Sequence, residues 1–193
     1  EGVDAYEIGY KGQLFDGRLV MNAALFLARY TDLQVQATRI DPLTGISSVE
    51  QLNAGSSETK GFEVEAMWRP TEAFSLNTSV TYSDAKVDVD GVGCPLQFQA
   101  AAPIIAPGAA TPINKCYRLQ TRNTAGAIVT GPPIQDIRDG LLPSSPEWRV
   151  MLSPRYGFAL NEDWNGAVQA NLAYQSKQLL SLDQDPLLCQ GAY

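Results

Sequence analysis

The 193-residue chain carries 14 Lys+Arg against 21 Asp+Glu, a net charge of −7, so it has nothing with which to neutralise a nucleic-acid backbone. It has no histidine, which removes the commonest general base and metal ligand. Its 45% hydrophobic content is ordinary, and no run approaches the roughly 18 apolar residues that a membrane helix needs. That leaves membrane strands open, because a strand that is apolar only on alternate residues averages out in hydropathy.

In chain order, Tyr6, Ile8, Tyr10 and Leu14 lie on one parity with Glu7, Gly9, Lys11 and Gln13 on the other. This is the period of a strand with one dry face and one wet face. The Asp16-Gly17 pair that follows is a two-residue hairpin signal. The next strand places Leu19, Met21, Ala23, Leu25 and Leu27 on its odd face, although Val20, Ala24, Phe26 and Ala28 join Asn22 on the other, and Arg29 continues the odd face near the far end. A long side chain there reaches water by snorkelling.

Gly61 to Trp68 presents Phe62, Val64, Ala66 and Trp68 opposite Glu63, Glu65 and Met67, then turns through Arg69 to Ala73. Phe74 to Tyr82 is the cleanest strand, with Phe74, Leu76, Val80 and Tyr82 on the even parity and only Ser, Asn and Thr on the odd. After a long gap, Trp148 to Phe158 repeats the alternation, with Pro154 predicting a local irregularity because it has no N–H for a ladder. A turn at 160–163 leads to a last strand bearing Trp164, Val168, Ala170, Leu172 and Tyr174.

The tight turns alternate with long linkers, about 37–57 and 86–145. Aromatic residues gather near both strand ends: Phe15, Trp68, Phe74, Phe158 and Trp164 by the tight turns, and Tyr6, Tyr30, Tyr82, Trp148 and Tyr174 by the linkers. Short turns on one rim, long loops on the other and two aromatic belts between them are the pattern of an outer-membrane barrel. The expected fold is therefore all-β, a transmembrane β-barrel segment of about six consecutive antiparallel strands in an open curved sheet. Phe62, Val64, Ala66, Leu76, Val80, Val150, Leu152, Val168 and Leu172 are expected to face lipid. The alternative architecture is a soluble secreted β-sandwich, a binding module or hydrolase.

The proline-rich linker 86–145 holds Cys94 and Cys116, expected to form a disulfide that staples an outer loop, as suits an oxidising compartment. Cys189 is expected to be free or to pair beyond the chain. Tyr117, Arg118, Arg122 and Arg138 on the same linker are candidates for meeting an anionic ligand. Glu63 and Glu65 share one strand with no sign of a dry pocket that would split their pKa values, so no catalytic pair is expected. No enzyme activity, cofactor or metal site is expected either.

Tyr6-Glu7-Ile8-Gly9-Tyr10-Lys11-Gly12 with Leu14 to Leu19, Asn22 to Phe26, Gly61 to Glu65 with Trp68-Arg69-Pro70, and Pro146-Glu147-Trp148 together resemble the barrel of TonB-dependent outer-membrane receptors. The likeness spans nearly all strand segments and none of the long loops. It implies a barrel of twenty-two strands in the cell outer membrane, filled by a plug domain and importing a scarce small-molecule nutrient, such as a ferric siderophore, with energy from TonB. A porin-like diffusion channel is the alternative within the membrane class. The chain opens on Glu1 and stops in a loop-like stretch, so residues 1–193 are read as part of such a barrel. Plug, TonB contact and closing strands are then expected in the parent, as is transport itself.

Overall fold

The computed structural model describes residues 1–40, 47–122 and 126–193. Four long strands run first: β1 (Gly2–Leu14), β2 (Leu19–Ile40), β3 (Ser47–Trp68) and β4 (Phe74–Gly93). A short helix α1 (Leu96–Gln99) and the strands β5 (Ile104–Ile105), β6 (Tyr117–Arg122) and β7 (Ile128–Leu141) follow. The chain then forms β8 (Trp148–Ala159), β9 (Asn165–Gln169), β10 (Leu172–Gln175), β11 (Gln178–Leu179) and β12 (Cys189–Gln190).

The wall strands pair antiparallel in sequence order, β1–β2–β3–β4–β8, with β9 and β10 both on β8. The sheet does not close, since β1 pairs with β2 alone. A hairpin forms at Asp16-Gly17, but the connection is four residues, 15–18, rather than two, with Leu14↔Leu19 as the last pair and Phe15 also at positive φ (54°). Asp16 and Gly17 at its centre have positive φ (53° and 82°), and the Arg18 N–H donates to the Phe15 carbonyl at 3.1 Å. At the 160–163 turn, Asn161 Oδ1 accepts from the Asp163 and Trp164 amides at 3.0 and 2.8 Å, replacing ladder bonds where the strand stops.

Cross-strand register turns the parity pattern into rows that cross the whole wall. Ile8, Leu25, Phe62, Tyr82 and Trp148 form one row; Tyr10, Ala23, Val64, Val80, Val150 and Tyr174 form the next. A third row contains Met21, Ala66, Thr78, Leu152 and Leu172, and a fourth Leu14, Leu19, Trp68, Leu76 and Pro154. Each row puts apolar neighbours side by side on one face, where cross-strand pairs stabilise a sheet by roughly 0.2–1 kcal/mol each. The opposite face carries rows such as Lys11, Asn22, Glu65, Ser79 and Met151. Aromatic side chains close both ends of the apolar face. Tyr82 and Trp148 pack as a tilted pair with ring centroids 4.8 Å apart beside Phe62, and at the turn end Trp68 meets Phe74 edge-on at 6.4 Å.

Pro154 produces the irregularity expected of it. The Ala170 N–H donates to the Pro154 carbonyl at 3.1 Å, and proline has no N–H to return that bond. The last wall strand is accordingly broken into β9 and β10, with 170–171 between them, while the register on β8 stays constant on both sides of the gap.

Regular structure runs further into both linkers than the alternation predicted. Of the linker 37–57, residues 37–40 and 47–57 continue β2 and β3, and 41–46 lie outside the described residues. The linker 86–145 is an ordered cap built from the outer half of β4, α1 and β5–β7. β4 forks: 74–82 pair with β8, whereas 86–93 pair with β7.

At that fork the dry side of β4 changes. Through Tyr82 the even residues, Thr78 apart, are apolar; beyond it Ala85, Val87 and Val89 are buried on the odd parity, with Lys86, Asp88 and Asp90 on the even. The β3–β4 register runs without a bulge from Trp68↔Leu76 to Gly55↔Val89, so no slip produces the switch. The strand stays in phase while burial moves to the side that carries the polar residues of the wall. There Val87, Val89, Val92 and Ile137 form the one cluster of buried apolar residues among the described ones, with Leu33, Leu142 and Leu182 against it.

Candidate functional site

The cap is where chemically committed side chains converge. Its base is closed by the Ser83 N–H to the Glu147 carbonyl (2.9 Å) and the Leu142 N–H to the Ala85 carbonyl (3.1 Å). Cys94 and Cys116 are disulfide-bonded with Cα atoms 5.7 Å apart, as their place in one linker predicted. The bridge ties the end of β4 to the start of β6 across 22 residues, and Cys94 is buried.

Asp136 on β7 is the hub beneath the bridge. Its Oδ1 accepts from the Gly91 amide at 3.0 Å, and its Oδ2 accepts from the hydroxyls of Tyr117 (2.9 Å) and Thr111 (3.1 Å). Burial, and then the bond to the Asp136 carboxylate, push the Tyr117 hydroxyl up to about 12. Asn114 clasps the Arg138 backbone twice, accepting from its N–H at 2.8 Å and donating to its carbonyl at 3.0 Å. The Arg138 guanidinium pairs with Asp90 at 2.5 Å, a hydrogen bond that raises it above its ordinary value.

A strap over 176–193, containing the β11–β12 hairpin, holds the cap from the side. Gln184 accepts from the Leu141 amide and donates to the Leu141 carbonyl, both at 2.9 Å, while Gln135 donates to the Asp183 carbonyl at 2.6 Å. A Cβ at Gly140 would clash first with Ile137 Cγ2 in the cap core and stand 3.2 Å from the Gln184 amide, so glycine there serves the core before the clasp. Between strap and disulfide lies a cleft of about 470 Å³ with Pro95, Phe98, Pro103 and Pro112 among its apolar lining and Lys115 and Asp183 at its edge.

The four sequence candidates do not form one ligand cage. Tyr117 is buried and committed to Asp136, and Arg138 is committed to Asp90. Arg118 is half-buried and donates to the Gln99 carbonyl at 3.3 Å; Arg122, exposed, donates to the Gly126 carbonyl at 3.1 Å. Asp136 is the residue that sequence reading missed, since nothing in its local pattern separates it from any loop carboxylate. Cys189 is an exposed free thiol. Among the described residues no group of three or more His, Cys, Asp or Glu is placed to hold a metal ion.

Comparison with known proteins matches this architecture. The family model for the TonB dependent receptor-like β-barrel covers residues 1–186. The ferric-pyoverdine receptor PbuA of Pseudomonas sp. is 36% identical over 83 residues, 43% of this chain and 9% of that protein. The probable TonB-dependent siderophore receptor PiuA of Acinetobacter baumannii is 30% identical over 94 residues, 49% of this chain and 11% of its own length. The crystal structure of PiuA superposes on 99% of the chain with a TM-score of 0.56 and 16% identity, over 20% of that receptor. The ferripyoverdine receptor of the Pseudomonas aeruginosa outer membrane superposes on the same share with a TM-score of 0.50 and 17% identity, also over 20% of its chain. At those identities the superpositions speak to fold, and the chain spans a small part of every receptor it matches. Wall order, register, and a family match across almost the whole sequence together make this chain a member of the TonB-dependent receptor-like β-barrel family.

Proposed function

We propose that the chain forms part of the wall and outer cap of a receptor in the cell outer membrane that imports a scarce nutrient, with a ferric siderophore as the favoured cargo. The observation that carries this reading is the apolar face, continuous across the wall strands and bounded by aromatic residues at both ends. The cap packs on the other, polar side, over what would be the lumen. The cargo is favoured because the curated relatives are named as a ferric-pyoverdine receptor and a probable siderophore receptor. In this reading the polar face meets the plug domain of the parent, and TonB supplies the energy through the parent's N-terminal region. Arg118 and Arg122 are the loop cations assigned to an anionic ligand, while Tyr117 and Arg138 shape the cap that presents them.

The test is uptake of radioactive iron, presented on a panel of siderophores, by iron-starved cells with and without the full receptor gene and with and without TonB. Loss of uptake of one siderophore in both deletions is expected. Uptake untouched by removing TonB, together with solute leakage through the purified receptor in liposomes, would replace this reading with a diffusion channel.

A further inference from the structure

The tight-turn rim carries a cluster of cations that neither the wall nor the cap uses. Arg18 and Arg69 follow directly on the Leu19↔Trp68 pair, with the Arg69 N–H donating to the Arg18 carbonyl at 2.7 Å. Two strands along, Arg155 pairs with Ser75. All three arginines continue the parity of the polar face, all are exposed, and all line one concavity of about 590 Å³ with Thr71, Glu72 and Ser75. That size is ordinary for a small-molecule pocket. Hydrogen bonds pin its floor. The Arg18 guanidinium donates to the Pro70 carbonyl at 3.1 Å, the Phe74 N–H to Thr71 Oγ1 at 3.1 Å, and the Gly157 N–H to the Ala73 carbonyl at 2.7 Å.

Charge in this concavity is unbalanced. Among the described residues no carboxylate lies within ion-pair distance of Arg18, Arg69 or Arg155, and Glu72 is the single acid in the lining. The next row of the polar face, Gln13, Val20, Met67, Asn77 and Ser153, is uncharged. Glu65, the nearest carboxylate back along β3, lies roughly 13 Å from Arg69 at strand spacing. Asp16, Glu162 and Asp163 sit on the neighbouring turns, outside the lining. Like charges directly opposite each other on neighbouring strands are destabilising. A chain of net charge −7 therefore places three of its 14 basic residues where they repel one another, and a bound anion would remove that repulsion.

Spacing selects the kind of anion. Neighbouring strands are about 4.8 Å apart, so Arg18 and Arg69 stand side by side while Arg155 is about 10 Å from Arg69 across β4. An oxyanion with a single centre spans the first two. An anion with separate carboxylates reaches all three, each guanidinium fork matching one carboxylate through paired N–H donors. In the barrel reading the short turns face the periplasm. We propose that Arg18, Arg69 and Arg155 form a binding site for a small polycarboxylate at the periplasmic mouth of the lumen, where a solute crossing the wall makes its last contact. This rests on the membrane reading above.

The test titrates citrate, a small tricarboxylate, into the purified full-length receptor at low salt by isothermal calorimetry. The native protein should bind citrate at one saturable site and much more tightly than acetate. Arg69→Gln and Arg155→Gln should each weaken binding about tenfold, the worth of one hydrogen-bonded charge pair. Arg69→Lys should retain more affinity than Arg69→Gln, and Lys11→Gln, higher on the same face, should leave binding unchanged. Equal affinity in the native and Gln variants would overturn the proposal, as would citrate binding no tighter than acetate. A native receptor that refuses citrate, with Gln variants whose plug unfolds earlier in urea, would show that the parent's own carboxylates fill the site and would also overturn it. Receptor-independent iron uptake in the cell assay above would instead overturn the import reading, whatever the titration gives.

Discussion

Wall and cap share one strand and obey opposite rules. In the wall, β4 from Phe74 to Tyr82 has apolar residues on the face away from the cap, and they find no dry protein core. In the cap, the same strand buries Val87 and Val89 to 1% exposure against Ile137, with a disulfide and a carboxylate hub beside them, as a small soluble domain would. A strand's alternation therefore reports its solvent, and its phase changes where its solvent does. The wall relies on ladder bonds and an apolar exterior, while the cap relies on burial and covalent closure.

The largest effect separating the two is expected at Ile137. Ile137→Ala should cost about 2–5 kcal/mol by opening a cavity in the cap. Amide exchange should rise over 87–93, 117–122 and 128–137 in the full receptor while amides of 62–82 stay protected. Joint loss of protection would show one cooperative unit rather than two.

Next comes the wall's exterior. Val80→Arg, in mid-strand on the apolar face, should cost about 2–4 kcal/mol in the inserted barrel, and Ser79→Arg far less. Refolding into lipid vesicles across a urea series measures both, and equal costs would invert the assignment of faces.

Removing the cap's staple should be felt only locally. A bridge across 22 residues is worth about 3 kcal/mol for a flexible chain. Pro95, Pro103, Pro107 and Pro112 stiffen the intervening segment, so the measured loss should fall below that figure. Cys94→Ser should raise protease cleavage between Gly91 and Arg122 while leaving the heat-resistant gel mobility of the barrel intact. A barrel that loses its heat resistance would make the staple part of the wall.

The smallest effect is a pH signature at Tyr117. Its hydroxyl keeps its proton to about 12 in the folded cap, whereas an unfolded tyrosine releases it near 10. The contribution is complete below pH 10 and is lost as pH rises towards 12, because only the unfolded chain gains by ionising there. Cap melting followed by tyrosine fluorescence should decline over that window, and Tyr117→Phe should flatten the decline.

The wall was legible because each strand between Tyr6 and Tyr174 had to satisfy a period of two against a fixed exterior, and Pro154 announced its own defect. The cap was much less so. Val87 and Val89 alternate with Lys86, Asp88 and Asp90 as regularly as any wall strand, but in the opposite phase, so reading continued with the wall's parity turns them into loop. The disulfide was legible from two cysteines sharing one linker, whereas Asp136 was not, since its partners Gly91, Thr111 and Tyr117 meet it only after folding. The parallel pairing of β5 with β6 is similarly non-local and carries no local pattern.

The fork in β4 has a consequence for how such receptors diversify. On the β8 side, the chain between Ser83 and Glu147 leaves and re-enters the wall at one point, where the Ser83 amide meets the Glu147 carbonyl, while Ser83 to Val89 stay in register on β3. Beyond Val89 the cap therefore behaves as a cassette: it can be lengthened or exchanged by recombination without altering the registers of β4 on β3 and β8, provided that it keeps its seat on the 176–193 strap. Selection on what the receptor recognises and selection on how it is built then act on different stretches of the same gene.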